Sequence, residues 1–293
     1  MHQMQSLQHP AELIAFLDEH KYVADDEMVT ALFLLLKLNK PLLLEGPPGV
    51  GKTEIALVLA QWLDAPLIRL QCYEGLDINS AVYEWNYQKQ LLGIRLQEGS
   101  GLSVEEKEHH IFSDEYLLKR PLLQAISQIY QSPVLLIDEL DRSDEEFEAF
   151  LLELLSAFQI SIPEIGTIKA THKPYVILTS NRTRELSDAL KRRCLYHWVD
   201  YPDLQKEMTI VKKRLPEIEN VLLEQVVSAV QKFRRRKLVK TPGISETIDW
   251  AQALMTLGFR SLNQEAFEIT LGSILKSVED IRQVKEEGAF GFA

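Results

Sequence analysis

Four clusters in this sequence have residue types and spacings that can do chemistry. The first is Gly46-Pro47-Pro48-Gly49-Val50-Gly51-Lys52-Thr53, which fits the phosphate-loop pattern G-x-x-x-x-G-K-[ST]. Small residues let backbone N–H groups converge on phosphate oxygens, and the amino end of a following helix adds partial positive charge. Lys52 would reach the β and γ phosphates of a triphosphate, and the Thr53 hydroxyl would ligate Mg2+. A chance Gly/Pro turn is the alternative. It does not require the apolar strand that precedes this loop or the helix, Glu54 to Leu63, that follows it.

The second cluster is Val134-Leu135-Leu136-Ile137-Asp138-Glu139, an apolar strand ending in two carboxylates. Strand geometry puts Asp138 at the carboxyl end, beside the loop of Thr53, where it can hold Mg2+ through water. Glu139 can orient or deprotonate an attacking water. Alone, the pair could equally be solvated acids at a strand end. The third is Asn181, after the strand Tyr175 to Thr179. An amide there can hold the lytic water and sense a γ-phosphate, or merely end the strand. The fourth is Lys191-Arg192-Arg193, predicted to follow a short helix from Glu185 to Leu190. Its place is a surface edge, where an arginine can enter a neighbouring copy's site. Such trans arginines are worth roughly 10³–10⁵ in phosphoryl-transfer rate. The simpler role for either arginine is to balance a helix dipole.

The elements that must position these residues follow from periodicity. Leu42 to Leu44, Leu67 to Leu70, Val134 to Ile137 and Tyr175 to Leu178 are short apolar runs, as expected of strands covered on both faces. Helical patterns separate most of them. Residues 144–158 place Phe147, Phe150, Leu151, Leu154, Leu155 and Phe158 on one face. Strands alternating with helices predict a parallel α/β sheet. Pro10 to Leu17 and Glu27 to Leu38 predict two helices joined by the connector Tyr22 to Asp25. Period-2 spacing of Tyr83, Trp85, Tyr87 and then Leu92, Ile94, Leu96 predicts a hairpin over about 81–96, and residues 160–170 predict a second. Residues 99–110 read as an exposed connector. Beyond Asp200–Asp203 only helical periods remain: Leu222, Val226, Val230 and Phe233 form one stripe, and Phe267, Leu271, Ile274, Val278 and Ile281 another. The expected division is therefore an α/β domain over 1–200 and an all-helical domain over 201–293.

Composition bounds the function. The 293 residues carry 46% hydrophobic and 26% charged side chains, the balance of a soluble globular protein of about two domains. A net charge of −11 repels phosphate backbones and argues against sequence-blind nucleic-acid binding by the whole molecule. Cys72 and Cys194 are too few and too far apart for a disulfide framework or a metal-ligand motif. The start of the sequence lacks a signal-peptide pattern, no run reaches the ~18–20 apolar residues of a membrane span, and a cytoplasmic location is the default. His109-His110 and the basic run Phe233 to Lys237 read as solvated. Tyr83, Trp85 and Tyr87 could either line a pore or pack on the core.

In their order along the chain, Gly46–Thr53, Asp138-Glu139, Asn181 and Arg192-Arg193-Cys194 resemble the AAA+ ATPases. The hairpin at 81–96 resembles the helix-2 insertion that marks one clade. Within that clade the chain is similar to the MoxR group, and more narrowly to its CoxD-like branch. The segments that carry this are Lys40 to Glu54, Tyr83-Glu-Trp-Asn-Tyr87, Ile162 to Thr167, Leu178 to Leu186 and Asp188 to Trp198. The resemblance implies an AAA+ P-loop NTPase core, a parallel sheet sandwiched by helices with hairpin insertions, plus a small helical lid. It implies ATP and Mg2+ as cofactors. It implies nucleotide contacts at Gly46, Pro48, Gly49, Val50, Gly51, Lys52, Thr53 and Glu54, and adenine contacts at Tyr22 and Val23, where plain packing is the alternative. It assigns Lys52, Glu139, Asn181, Arg192 and Arg193 to catalysis, and Thr53 and Asp138 to the metal.

The implied protein is a hexameric ring chaperone with a von Willebrand factor A domain partner. Its client would be a metalloenzyme; the CoxD-like branch is tied to active-site assembly in molybdenum-containing carbon monoxide dehydrogenase and related hydroxylases. One departure stands out. The lid segment Gly243-Ile-Ser-Glu-Thr247 lacks the arginine the wider group places there, leaving Arg182, Arg184 or Lys240 as substitutes. Two other functions remain open: a nucleic-acid-stimulated motor or restriction-type NTPase, and a nucleotide-gated scaffold with little turnover.

Overall fold

The computed structural model of the chain describes residues 7–97, 101 and 103–286. Its elements begin with α1 (Ala11–Glu19), α2 (Asp26–Leu38), β1 (Leu42–Glu45), α3 (Glu54–Leu63), β2 (Leu67–Gln71), α4 (Ile78–Ala81), β3 (Tyr83–Trp85), α5 (Tyr87–Leu96) and α6 (Val104–Ile111). The middle of the chain forms β4 (Leu117–Lys119), α7 (Pro121–Ile126), β5 (Val134–Asp138), α8 (Glu145–Ala157), β6 (Gln159–Ile162), β7 (Gly166–Lys169) and β8 (Tyr175–Ser180). It continues through α9 (Asp188–Arg193), β9 (Leu195–Trp198), α10 (Leu204–Arg214), α11 (Asn220–Arg234), α12 (Ile244–Thr256), α13 (Gln264–Ile274) and α14 (Val278–Glu286).

These residues form two compact units, and each draws on more than one stretch of chain. One contains residues 7–10, 30–44 and 56–197; the other contains 11–29, 45–55 and 198–286. A single division at 200/201, as periodicity alone suggests, therefore differs from the grouping found. Residues 11–29 and the phosphate-loop segment group with the helical carboxyl-terminal region.

The first unit is built on a parallel five-stranded sheet of order β2-β5-β8-β1-β9. β1 and β5 are buried at every position, as sequences with no polar alternation require when both faces are covered. β9 was not anticipated; its signal is the aromatic and β-prone run Leu195-Tyr-His-Trp198. The hairpin near 160–170 is present, with β6 and β7 antiparallel and Ile160 opposite Ile168.

The hairpin at 81–96 is not formed. Only its first arm is a strand, and β3 pairs instead with β4, Trp85 opposite Leu117. The second arm is α5. Asn86 caps it by accepting from Lys89 N at 3.0 Å, and the run Gln88 to Leu92, free of β-branched residues, favours helix. Gly93 faces inward there because a Cβ would lie 2.5 Å from the Tyr116 hydroxyl. Trp85 packs in the core edge-on to Phe112, whereas Tyr87 is exposed. Residues 104–111 are likewise helix rather than connector, begun by a capping box between Ser103 and Glu106; residues 98–100 and 102 of that stretch lie outside the described residues.

The second unit's core joins α10 to α14 around Phe233, Trp250 and Phe267. The stripe from Phe267 to Ile281 lies on two helices, α13 and α14, because the chain is extended at Leu275 and restarts at Ser277. Asp280, buried, accepts from Val239 N (2.8 Å) and Lys240 N (3.0 Å), which fixes the restart. The basic run at 233–237 is not wholly solvated. Arg234 makes a buried two-pronged ion pair with Glu207, at 2.6 and 2.7 Å, and donates to Pro242 O at 2.8 Å. Thr247 Oγ1 and Gln231 Nε2 complete the carboxylate's donors. We expect Arg234→Met to lower unfolding free energy by roughly 3–5 kcal/mol, because Glu207 would be left charged and buried. Urea titration followed by far-ultraviolet dichroism reads that loss, and a change under 1 kcal/mol would refute it.

Candidate active site

The phosphate-loop residues lie in the second unit. Gly49 and Gly51 take left-handed backbone angles (φ 74° and 92°) that side chains resist. A Cβ on Gly46 would lie 2.0 Å from the Val199 carbonyl oxygen, so only glycine lets the loop leave β1 there. Lys52 is buried, and its Nζ donates to Gly46 O and Pro47 O at 2.7 Å each. Val50 is buried beneath the loop, Pro48 and Gly49 are exposed, and Thr53 and Glu54 are half-buried at the start of α3. Glu54 pairs with Arg214 at 2.7 Å.

Tyr22 and Val23 belong to the same unit and are half-buried. Burial first, then the charges of Asp25 and Glu54, push the Tyr22 phenol well above its ordinary range, so it stays a neutral donor. The segment Gly243–Thr247 meets the loop at Gly49, with the Ser245 and Glu246 side chains beside the backbone contact. Ile244 N donates to Gly49 O at 2.8 Å, and a Cβ on Gly243 would lie 2.7 Å from Gly49 Cα. At the position where the resemblance expects an arginine the chain has Thr247, buried, with its hydroxyl bonded to Glu207 Oε1 at 2.8 Å and Gly243 O at 3.0 Å.

The first unit holds the carboxylates. Asp138 accepts from Thr179 Oγ1 and from Arg69 Nη2, both at 2.6 Å. Glu139 adopts a left-handed backbone (φ 54°), its N–H donates to Thr179 Oγ1 at 2.9 Å, and its carboxylate meets Arg142 Nε at 3.1 Å. Register explains the grouping: Asp138 is level with Gln71 on β2, and Ile137 with Leu178 on β8. Asn181 is half-buried just past β8, and its N–H donates to Asp141 Oδ1 at 3.1 Å.

The cations differ from expectation. The helix is Asp188–Arg193, begun by Ser187, so Lys191, Arg192 and Arg193 form its last turn instead of following it. Arg192 and Arg193 are exposed. Arg184 is tied to Glu148 and Ser143 O. Cys72 and Cys194 are free, and burial above all pushes each thiol up to about 12, so neither is a reactive thiolate. Among the described residues no cluster of His, Cys, Asp and Glu is arranged to hold a metal by itself, and no helix is long and apolar enough to cross a membrane.

Sequence reasoning overlooked Arg69, Asp141, Glu148 and Arg234. Arg69 had a signal, a cation in the apolar run Leu67-Ile-Arg-Leu70. Asp141 had one too, a third acid three residues after Asp138. For Asp141, burial opposes ionisation, but the hydrogen bonds from Thr183 and Asn181 outweigh it and hold the carboxyl below the usual range.

The profile of the AAA domain (dynein-related subfamily) matches residues 41–194. The chain belongs to that family. Membership brings nucleotide hydrolysis as the general activity and ATP with Mg2+ as the cofactors. An uncharacterized protein of Staphylococcus epidermidis is 27% identical over 257 residues, covering 85% of this chain and 88% of that one. One from Staphylococcus aureus is 27% identical over 245 residues, covering 82% and 84%. Two mutants of Thermotoga maritima RuvB share the fold at 19% identity and a TM-score of 0.52. The coverage is 87% of this chain and 71% of that one for the first, and 94% and 75% for the second.

The residues suit a magnesium-bound triphosphate. A Cβ on Gly51 would meet nothing within 4 Å, so the loop has an open side. The Lys52 ammonium donates to its own loop's carbonyls at Gly46 and Pro47, which an anion can replace. Thr53, in the same unit as the loop, offers a hard oxygen donor of the kind Mg2+ takes. We expect Gly46→Ala to destabilise the protein by roughly 2–3 kcal/mol through overpacking against Val199, and Gly51→Ala by about 1 kcal/mol from backbone strain. Thermal melting compares the two; equal shifts would contradict the close approach at Gly46.

Proposed function

We propose that this chain is an ATP-hydrolysing ring chaperone of the MoxR group, CoxD-like branch, that acts in the cytoplasm. In this reading it assembles as a homo-oligomer, a hexameric ring, with a von Willebrand factor A domain partner. Its client is a metalloenzyme whose active site it remodels or matures, of the molybdenum hydroxylase and carbon monoxide dehydrogenase kind. The observation that carries the ATPase reading is Lys52, buried on a glycine loop with its ammonium turned onto that loop's own carbonyls. The branch rests on the segments quoted from Lys40 to Trp198, and the ring on the exposed Arg192 and Arg193.

Bound MgATP supplies the phosphoanhydride whose cleavage drives the cycle. Backbone N–H groups of Gly46 and of Gly49 to Thr53, with Pro48 and Val50 shaping the loop, would hold the phosphates, and Lys52 would neutralise their charge. Thr53 and Asp138 would hold the metal, which supplies charge stabilisation when bound. Glu139 takes the proton of the attacking water onto its carboxylate after leaving Arg142, and Asn181 orients that water. Arg193, with Arg192 beside it, enters the adjacent copy's site and stabilises charge there. Tyr22 and Val23 pack on the adenine, and Glu54 opens the helix behind the phosphates.

A second reading is favoured by one observation: the lid segment Gly243–Thr247 carries no arginine. A nucleotide-gated scaffold that binds ATP and turns over little fits that departure. The net charge of −11 weighs against the nucleic-acid-stimulated motor.

Two outcomes test the proposal. We expect Lys52→Ala to lose ATP binding by at least about 100-fold, and Glu139→Gln to bind ATP but hydrolyse it at least about 100-fold more slowly. Equilibrium binding and phosphate release measure these. The ATP-loaded Glu139→Gln protein, used to capture partners from its own cytoplasm, should retain a von Willebrand factor A domain protein and a metalloenzyme. We further expect Arg193→Ala to keep ATP affinity but lose turnover by about 10³-fold, with activity regained when Lys52→Ala subunits, which still donate the arginine, are mixed in. Full turnover by Arg193→Ala alone would defeat the shared site, and near-zero turnover of the wild-type protein with partner and client present would favour the scaffold.

A further inference from the structure

Two buried carboxylates have no part in the chemistry above, and both lie on the chain just after Glu139. Asp141 is 3% exposed. It accepts from Asn181 N at 3.1 Å, from Thr183 N at 2.8 Å and from Thr183 Oγ1 at 2.6 Å. Glu148, on α8, is 1% exposed. It accepts from Arg184 Nη2 and, at 2.9 Å, from Ser187 N, while Arg184 Nη2 also donates to Ser143 O at 2.8 Å.

All of these residues lie in the first unit. Together the two acids fasten the segment 181–187, the connection between β8 and α9, at both its ends. Asn181 is at one end. Ser187, the amino cap of α9, is at the other, and Arg192 and Arg193 lie in the last turn of that short helix.

We propose that Asp141 and Glu148 are positioning residues that lock Asn181 and the cation-bearing helix α9 to the strand end carrying Asp138 and Glu139. The lock makes a displacement of Asn181 reach Arg192 and Arg193. The proposal rests on the ATPase reading given above and adds the means by which one copy's site speaks to the next. An ordinary exposed connection would absorb a shift at Asn181 by turning its own backbone dihedrals. This one cannot do so without stripping donors from a desolvated carboxylate, a cost that rises steeply once the first bond is lost.

The test is a pair of double-mutant cycles on the full chain, reading kcat and the KM for ATP. Asp141→Asn and Glu148→Gln should each lower kcat about tenfold, with KM held within about twofold, as misplacement of a group used only in the transition state predicts. Asp141→Asn combined with Asn181→Ala should be no slower than Asn181→Ala alone. Glu148→Gln combined with Arg193→Ala should likewise be no slower than Arg193→Ala alone. Losses that multiply in either pair, or a KM that rises as much as kcat falls, would overturn the positioning role and leave the acids as mere caps. Should Asp141→Asn not fold, Thr183→Val removes a single donor to the same carboxylate and must show the same non-additivity with Asn181→Ala. Failure of the underlying ATPase reading has a different signature: Lys52→Ala, Glu139→Gln and Asn181→Ala would all turn over at the wild-type rate, which also ends the positioning role.

Discussion

A carboxylate taken out of water must be given its hydrogen-bond donors by the protein, and this chain buries several. Asp138, Asp141, Glu148, Glu207 and Asp280 are each 3% exposed or less. Asp138 ends β5, Asp141 follows it, and Glu148, Glu207 and Asp280 lie on α8, α10 and α14. Each faces a segment outside its own element and collects that segment's N–H groups, a hydroxyl or a guanidinium. The loop conformations are thus set by the acids they surround. Such pairs add little net stability compared with an apolar core, but losing one partner is costly, so they select one geometry over its neighbours.

In the first unit that constraint produces the site. β5 delivers Asp138 and Glu139 to a common sheet edge, and β8, its neighbour, delivers Thr179 and Asn181. Thr179 touches both: its hydroxyl donates to Asp138 and accepts from the Glu139 N–H. The left-handed turn at Glu139 is therefore held from the next strand, and Asp141 ties the following segment back to the same loop. In the second unit Glu207 does comparable work. By gathering Arg234, Gln231 and Thr247 it holds the segment that ends in Gly243, whose contact with Gly49 is as close as two backbones allow.

What the sequence made legible was whatever depends on local spacing. The glycine loop, the strand ending in Asp138-Glu139 and the helix Glu54–Leu63 are all encoded within a few residues, and they were read directly. The hairpin at 81–96 was misread because alternation of Leu92, Ile94 and Leu96 resembles a strand, while the cap at Asn86 and the notch at Gly93 for Tyr116 belong to a helix. Only the second of these needs a distant residue, but it decides the matter. The helix bearing Arg192 and Arg193 was shifted by three residues because Ser187 was not recognised as its start. Arg234 looked like one of three solvated arginines in a row. Nothing local distinguishes it from Arg235; its partner Glu207 is a helix away.

The buried acids divide by the kind of donor that serves them. Asp141 and Asp280 are satisfied by backbone N–H groups and a hydroxyl alone. Only Asp138, Glu148 and Glu207 draw an arginine, from Arg69, Arg184 and Arg234 respectively. Backbone donors are fixed in direction, so an acid served by them constrains chain geometry more tightly than one served by a flexible side chain. Assigning the backbone to Asp141 thus does two things at once. It fixes Asn181 by its own main chain, and it draws no cation from the exposed last turn of α9, where Arg192 and Arg193 lie.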